Sequence, residues 1–417
     1  MTSTAMRHVR HLAVDIGPRG STTPAERRAA AYARERFEAA GLETHWEPFQ
    51  APVSGWRPFA IAAFTGLVAA ALVLWGGRLG ALVGGAAMAV ATTSVFLEMY
   101  FRRHPLRALV PRAESQNVWA RVPAAGPARR RVLLVGHLDT HRTPWLFTSP
   151  ARLAAFRVIT TAGIVGFLLG TLAFLAIGVL GLEGWRPIAW FLAPVYLIVL
   201  AATAQPDATP FTHGANDNAT GAAVVLSLAE RLAREPLDRT EVWALASGCE
   251  EVGSVGAWTF ADAHRDELPG LVAISVDNVG GRGAGVCYTS VEGMVIPYRP
   301  SPELFALAER VRHERPELNA YAKPYTTLHT DATALMVRGV PSLSFVGLRP
   351  DGVIPDWHTV GDVFERVDAS TVENTEAFVL ELLRRLDAGP APADTDVAST
   401  DAVLASTDAV LASTDAG

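Results

Sequence analysis

Two kinds of apolar pattern alternate along the chain. Most segments mix apolar and polar positions at the period of a strand or a helix, but two blocks lose their charge almost entirely. From residue 59 to residue 97 the only charged side chain is Arg78, which leaves two runs, 59–77 and 79–97, of 19 residues each. A helix needs about 20 apolar residues to cross a bilayer. Residues 158–182 and 188–204 carry no charge, and Glu183 and Arg186 lie in the link between them. Trp56 and Tyr100 flank the first block, where interfacial aromatics are expected. The pattern predicts four spans in two hairpins, with Pro194 inside the last; the competing reading is helical hairpins buried in a soluble core.

The remaining segments are periodic. Thr23 and Pro24 open a helix through Phe37 that Gly41 ends. Strands are expected at 42–49, 117–122, 131–136, 241–246, 271–276 and 341–346, and helices at 222–233, 256–264, 302–312 and 330–338. Val132-Leu133-Leu134-Val135 is continuously apolar, as a strand buried on both faces should be. Strands alternating with helices predict an α/β fold, a mixed, largely parallel sheet flanked by helices. The expected organisation is a discontinuous domain (1–56, 104–157 and 205–388), hairpins at 57–103 and 158–204, and a tail at 389–417. The tail repeats Ser-Thr-Asp-Ala-Val-Leu-Ala from Ser399 and Ser406 and is read as disordered low complexity.

Composition refines this picture. Net charge is −6, which offers no nucleic-acid surface. Cys249 and Cys287 are the only cysteines, too few for a disulfide framework and suited to a reducing compartment. Residues 1–16 hold Arg7 and Arg10 but no long apolar run, so no cleavable signal peptide is read. Each hairpin returns the chain to the side it left. Near the span ends that side carries Arg57, Arg102, Arg103, Arg107, Arg152 and Arg157, against Arg78 and Arg186 on the far side. The positive-inside bias therefore predicts a multi-pass protein of the cell membrane, in contact with lipid, with its domain in the cytoplasm.

His137, Asp217, Glu251, Asp277 and His358 all fall where strands or turns end. Strand C-termini form the usual crevice of an α/β sheet, and imidazole with carboxylate suits Zn²⁺. If Asp217 is shared, with one His and one further carboxylate on each ion, two metals have open positions for water. Glu250, beside Glu251, is free to act as general base. Asp139, two residues after His137, is placed to orient that imidazole. Each residue has a plainer alternative: Glu250-Glu251 as a solvated surface pair, Asp277 as a helix cap, His137 and Asp139 as a satisfied polar pair. The joint pattern carries the case.

The ordered set His137-Leu138-Asp139, Gly214 to Gly221 around Asp217, Glu250-Glu251-Val252-Gly253, Asp277-Asn278-Val279-Gly280 and His358 to Asp362 resembles the co-catalytic zinc aminopeptidase family. That family includes bacterial leucyl aminopeptidases, glutamate carboxypeptidases and the divergent glutaminyl cyclases. Gly17-Pro18-Arg19, His329-Thr330-Asp331 and Gly339-Val340-Pro341 are also similar to its segments. The resemblance implies a peptidase acting on peptides with two zinc ions per chain. His137 and Asp277 would hold one ion, Glu251 and His358 the other, and Asp217 would bridge them, with Glu250 as base. An oxyanion-stabilising tyrosine does not align; Tyr325 and His329 are the nearest candidates. Asp217 lies 78 positions beyond Asp139, a gap that members without membrane segments fill with a short loop. The rival expectations are a one-zinc cyclase and a non-catalytic membrane scaffold.

Overall fold

The computed structural model describes residues 3–389, so the repeat expected beyond Gly389 lies outside the described residues. Eight strands form one mixed sheet: β1 (Glu43–Pro52), β2 (Arg112–Val122), β3 (Arg130–His137), β4 (Thr240–Ser247), β5 (Leu271–Asp277), β6 (Val286–Glu292), β7 (Ala320–Tyr325) and β8 (Ser342–Val346). Their order is β1-β2-β4-β3-β5-β8-β6-β7. The centre, β4-β3-β5-β8, is parallel, and β2 and β6 join it antiparallel.

The pleat explains the apolar runs. Val132 and Leu134 of β3, Val242 and Ala244 of β4, and Val272 and Ile274 of β5 enter one core, beneath the helices Pro24–Ala39, Gly221–Arg234 and Ala369–Ala388. Their neighbours Leu133, Trp243 and Ala273 enter the opposite core, beneath Val255–Ala263 and Asp331–Met336. Side chains alternate across a strand, so a strand covered on both faces must be apolar at every position. The in-register pairs His137↔Ser247 and Asp277↔Val346 align the C-terminal ends of the parallel strands along one edge.

Several elements differ from expectation. β1 and β2 run past 49 and start before 117 because they pair along their whole length, from Glu43↔Arg121 to Pro52↔Arg112. β6 and β7 lie at a sheet end and carry weak signals: a register shift between Thr289 and Val291, and Pro324 inside a half-exposed strand. Pro is tolerated at such an edge. The helix Ala369–Ala388 was not anticipated, and the helix expected at 330–338 is shorter, Asp331–Met336 with Thr330 as its cap.

The apolar blocks form four helices, Arg57–Trp75, Gly77–Met99, Pro150–Leu180 and Ile188–Ala204, the last continued by a turn to Ala208, and these four segments are long and apolar enough to cross a membrane. They pack on one another around Met88, Phe167, Phe174 and Tyr196. At the far end Arg78 donates to the carbonyls of Gly178 and Val179, at 2.8 and 2.8 Å. Arg186 in turn donates to Val73 and Leu74. Each hairpin thus caps the other's helix C-terminus, where carbonyls lack partners and a cation is favoured. At the domain end Asp207 accepts from Ser54 (2.8 Å) and Arg57 (2.6 Å), tying the exit of the second hairpin to the entry of the first.

Candidate active site

The turn Ala215–Thr220 receives the chain from the fourth apolar helix and passes it to Gly221–Arg234. Asp217 and Asn218 have non-helical backbone, and the peptide between them is cis. Gly214 has φ +58°, and a Cβ there would lie 2.2 Å from Thr140 Cγ2, so only glycine fits. The polar residues of the turn are fasteners. Asn218 donates to the Val276 carbonyl (3.0 Å) and accepts from the amides of Gly221 and Asn278. Asn216 accepts from the Gly280 amide at 2.8 Å. Asp362 accepts from the amides of Asn216 (2.6 Å) and Asp217 (3.0 Å). Arg19, fully buried, donates to Leu138, His213 and Gly214 carbonyls at 2.6–2.7 Å, which locks the exit of β3 to the turn. Burial lowers its pKa to about 10, so it stays charged.

All five expected ligands converge. Asp217 Oδ1 lies 3.4 Å from His137 Nε2, which is 3.5 Å from Asp277 Oδ1. Asp217 Oδ2 lies 3.0 Å from His358 Nε2, which is 3.6 Å from Glu251 Oε2. One carboxylate therefore faces two separate His–carboxylate pairs with its two oxygens. Glu250 Oε2 is 3.9 Å from His137 Nε2, and Glu250 Oε1 accepts from Ser254 Oγ at 3.2 Å. Asp139 lies behind them. Its oxygens accept from the amides of Glu250 (3.0 Å) and Glu251 (3.1 Å) and from Ser21 (2.6 Å). His137 Nδ1 lies 3.4 Å from Asp139 Oδ1 and 3.2 Å from its carbonyl, which turns Nε2 toward Asp217.

These spacings suit metal ions. Donors about 2.0–2.2 Å from a tetrahedral zinc lie about 3.3 Å from one another. The donor atoms of His137, Asp217 and Asp277 are mutually within 4.8 Å, as are those of His141, Glu251 and His358 and those of His137, Glu250 and Glu251. Glu251 Oε1 and His358 Nδ1 are buried without a hydrogen-bond partner. No thiolate takes part, as in open rather than closed zinc sites. Electrostatics agrees: buried carboxylates crowd two imidazoles. Burial pushes the Glu250 and Glu251 carboxyls up, with the neighbouring acids adding to it. Burial would also raise Asp217, but hydrogen bonds with His137 and His358 hold it below the usual range. His137 is drawn well above its ordinary value by Asp139, Asp217 and Asp277 against its own burial. A buried acidic cluster of this kind calls for cations.

Three further residues had little signal in the sequence. His141 stacks on His358, with ring centroids 3.7 Å apart and planes 15° apart. Its Nδ1 hydrogen-bonds with the Arg142 carbonyl at 2.7 Å and its Nε2 accepts from Trp56 Nε1 at 3.3 Å. It is thus a neutral wall against His358, and burial depresses its pKa. Its one clue is its place two residues past Asp139 on the same extended segment. Glu26 accepts from the amides of Thr22 (2.7 Å) and Cys249 (2.8 Å) and from Ser115 (3.0 Å), and so braces the turn that presents Glu250. Burial raises its pKa to about 8. Arg107, counted only as a basic flank, holds Glu98 at the end of the second apolar helix (2.7 Å) and the Val252 carbonyl (2.8 Å).

Asp217, Glu250, Glu251, Asp277 and His358 line a cavity of about 250 Å³. Tyr325 and His329 line it too. Tyr325 is buried near Asp277 and Asp217, and burial keeps its hydroxyl protonated. His329 is held neutral by burial, with a pKa of about 4, and its Nδ1 has no partner.

Residues 198–383 match the model of peptidase family M28. Over 84 residues the chain is 39% identical to aminopeptidase YwaD of Bacillus subtilis (strain 168); that match covers 20% of this chain and only 18% of the relative. BSAP, a zinc aminopeptidase from Bacillus subtilis, superposes with a TM-score of 0.55 at 14% identity, covering 92% of this chain and 94% of that one. The glutaminyl cyclase of Fimbriiglobus ruber superposes with a TM-score of 0.54 at 16% identity, covering 91% and 94%. At these identities the structures share the fold.

Proposed function

We infer from the match of residues 198–383 to peptidase family M28 a membrane-anchored, zinc-dependent peptidase, most simply an aminopeptidase. The observation that carries this reading is the division of Asp217, whose two oxygens face His137–Asp277 and Glu251–His358 respectively. His137 and Asp277 would hold one zinc, Glu251 and His358 the other, and Asp217 both. Two such ions would supply Lewis acidity to the scissile carbonyl and to an attacking water. Glu250 is the base. Its Oε2 lies 3.9 Å from His137 Nε2, and burial raises its carboxyl above the usual carboxylate range. It takes the proton of the water and returns it to the leaving nitrogen. Asp139 positions both partners, through His137 and through the Glu250 and Glu251 amides.

Anchoring rests on the exposed apolar faces of the four helices, as at Phe64, Leu172 and Phe191, and on exposed Trp75, Trp185 and Trp190 at their far end, as in an interfacial aromatic belt.

The test is Glu250→Gln, assayed on aminoacyl and carboxyl-blocked peptides with zinc counted on the same sample. Turnover should fall by about 10²–10⁴-fold, the range for losing a general base, with zinc content kept at two per chain. Peptide hydrolysis at the original rate would remove Glu250 from the mechanism. One tightly held zinc with full activity would instead favour the cyclase-like reading.

A further inference from the structure

The cavity does not stop at the zinc-ligand cluster. Phe59, Val95, Ile159, Phe167 and Val199, drawn from all four apolar helices, line its other end. The bundle is open along its centre at the domain end. Its floor is Phe167 stacked on Tyr196, with ring centroids 5.6 Å apart. Tyr196 is itself fixed by a 2.8 Å hydrogen bond to the Gly166 carbonyl. At about 1.5 Å per residue, Phe167 lies roughly 12 Å deeper than Ile159. In a hydrocarbon core of about 30 Å entered at Ile159, this shaft would end less than halfway through.

The shaft has little to offer a polar ligand. Thr160 and Thr203 line it, but their hydroxyl protons are donated to the Phe156 (2.9 Å) and Val199 (2.7 Å) carbonyls of their own helices. Glu98, at the junction, is engaged by Arg107 and His104. An apolar cavity of this kind does not hold water well. Gly163 lets the third and fourth apolar helices approach closely, since a Cβ there would lie 3.0 Å from Val199 Cγ2.

We propose that the substrate is an amphiphile: an amide or peptide bond held at the His137–Asp217–His358 cluster, joined to a hydrocarbon chain that lies in the shaft between the membrane helices. This rests on the peptidase reading and deepens it. The shared chemistry is a hydrolysable amide bearing an alkyl chain, attached on the nitrogen side or on the acyl side. The four helices then form half of the binding site as well as the anchor.

The experiment uses the full chain with zinc in lipid vesicles and two substrate series of increasing alkyl length, aminoacyl alkylamides and fatty-acyl amino acids. In one series kcat/KM should rise roughly three- to fourfold per methylene and level off once the chain fills the shaft. Partition into lipid also favours long chains, so Val199→Phe and Val95→Phe, which fill the shaft from opposite helices, supply the control. Either should cut the long-chain to short-chain ratio at least tenfold, whereas partition would leave that ratio intact. A flat length dependence in both series, or a ratio that survives both substitutions in folded protein, overturns the proposal while short-peptide hydrolysis still stands. If no substrate is cleaved, the peptidase reading fails instead. Binding of a fluorescent long-chain alkylamide to Glu250→Gln then decides the shaft alone: saturable binding lost in Glu250→Gln/Val199→Phe supports it, and no saturable binding overturns it.

Discussion

At the scale of single residues, the site is held by groups that never touch substrate. Arg19, Asp139, Asp362 and Glu26 each join two segments far apart in sequence through buried hydrogen bonds. Losing one partner of such a bond leaves the other buried and unsatisfied, at a cost of about 1–3 kcal/mol or more. Glu26 also gives a pH signature. Below about pH 4.5 it is protonated in both folded and unfolded chains. Between 4.5 and about 8 only the folded chain keeps the proton, and above 8 neither does. The folded state binds more protons across that window, so its stability contribution declines as pH rises through it and levels off beyond. Thermal unfolding of the detergent-solubilised protein from pH 5 to 8 should show a declining Tm whose slope is shallower in Glu26→Gln. Equal slopes would mean that Glu26 does not hold this proton.

At the scale of elements, the hairpins are tied to the domain and to each other by a few polar clamps. Asp207 with Ser54 and Arg57 closes the near end, Arg78 and Arg186 close the far end, and Arg107 links the second apolar helix to the loop after Glu251. Interhelical hydrogen bonds inside membranes are worth about 0.6 kcal/mol on average and up to about 1.7. Arg186→Ala, which frees two carbonyls at a helix end, should therefore lower unfolding stability in detergent by about 1–2 kcal/mol, while short-peptide kcat stays within twofold because the cluster lies at the opposite end. A loss of kcat without loss of stability would point to a coupling that this packing does not contain.

At the scale of the whole molecule, both hairpins leave from and return to one side of the sheet assembly, beside the strand ends that carry His137, Glu250 and Asp277. The arginine bias of the near ends predicts a cytoplasmic domain. Added protease should then digest the domain in inverted vesicles and leave it intact on whole cells; digestion from outside whole cells would reverse the orientation. Metal removal is a second whole-molecule test. Chelation should abolish hydrolysis and zinc should restore it, with the restored rate saturating at two ions per chain. Restoration by one equivalent alone would count against a shared Asp217.

The sequence by itself determined the broad architecture and the candidate chemistry. Spacing between charges marked the four apolar helices, continuous apolar strands marked the buried centre of the sheet, and the ligand-bearing motifs sat at strand ends where residue type and local pattern are enough. His137, Asp217, Glu251, Asp277 and His358 were legible as candidates because each puts an imidazole or carboxylate at a strand end or in a turn, a local property. What only the tertiary structure decided depends on long-range contact. β6, β7 and the last helix carry weak local signals and are stabilised by neighbours. His141 matters because His358 lies 3.7 Å from its face, over two hundred positions away. Which residues line the cavity between the helices has no local signature, because Val95, Ile159 and Val199 look like any lipid-facing residues until four helices pack around one axis.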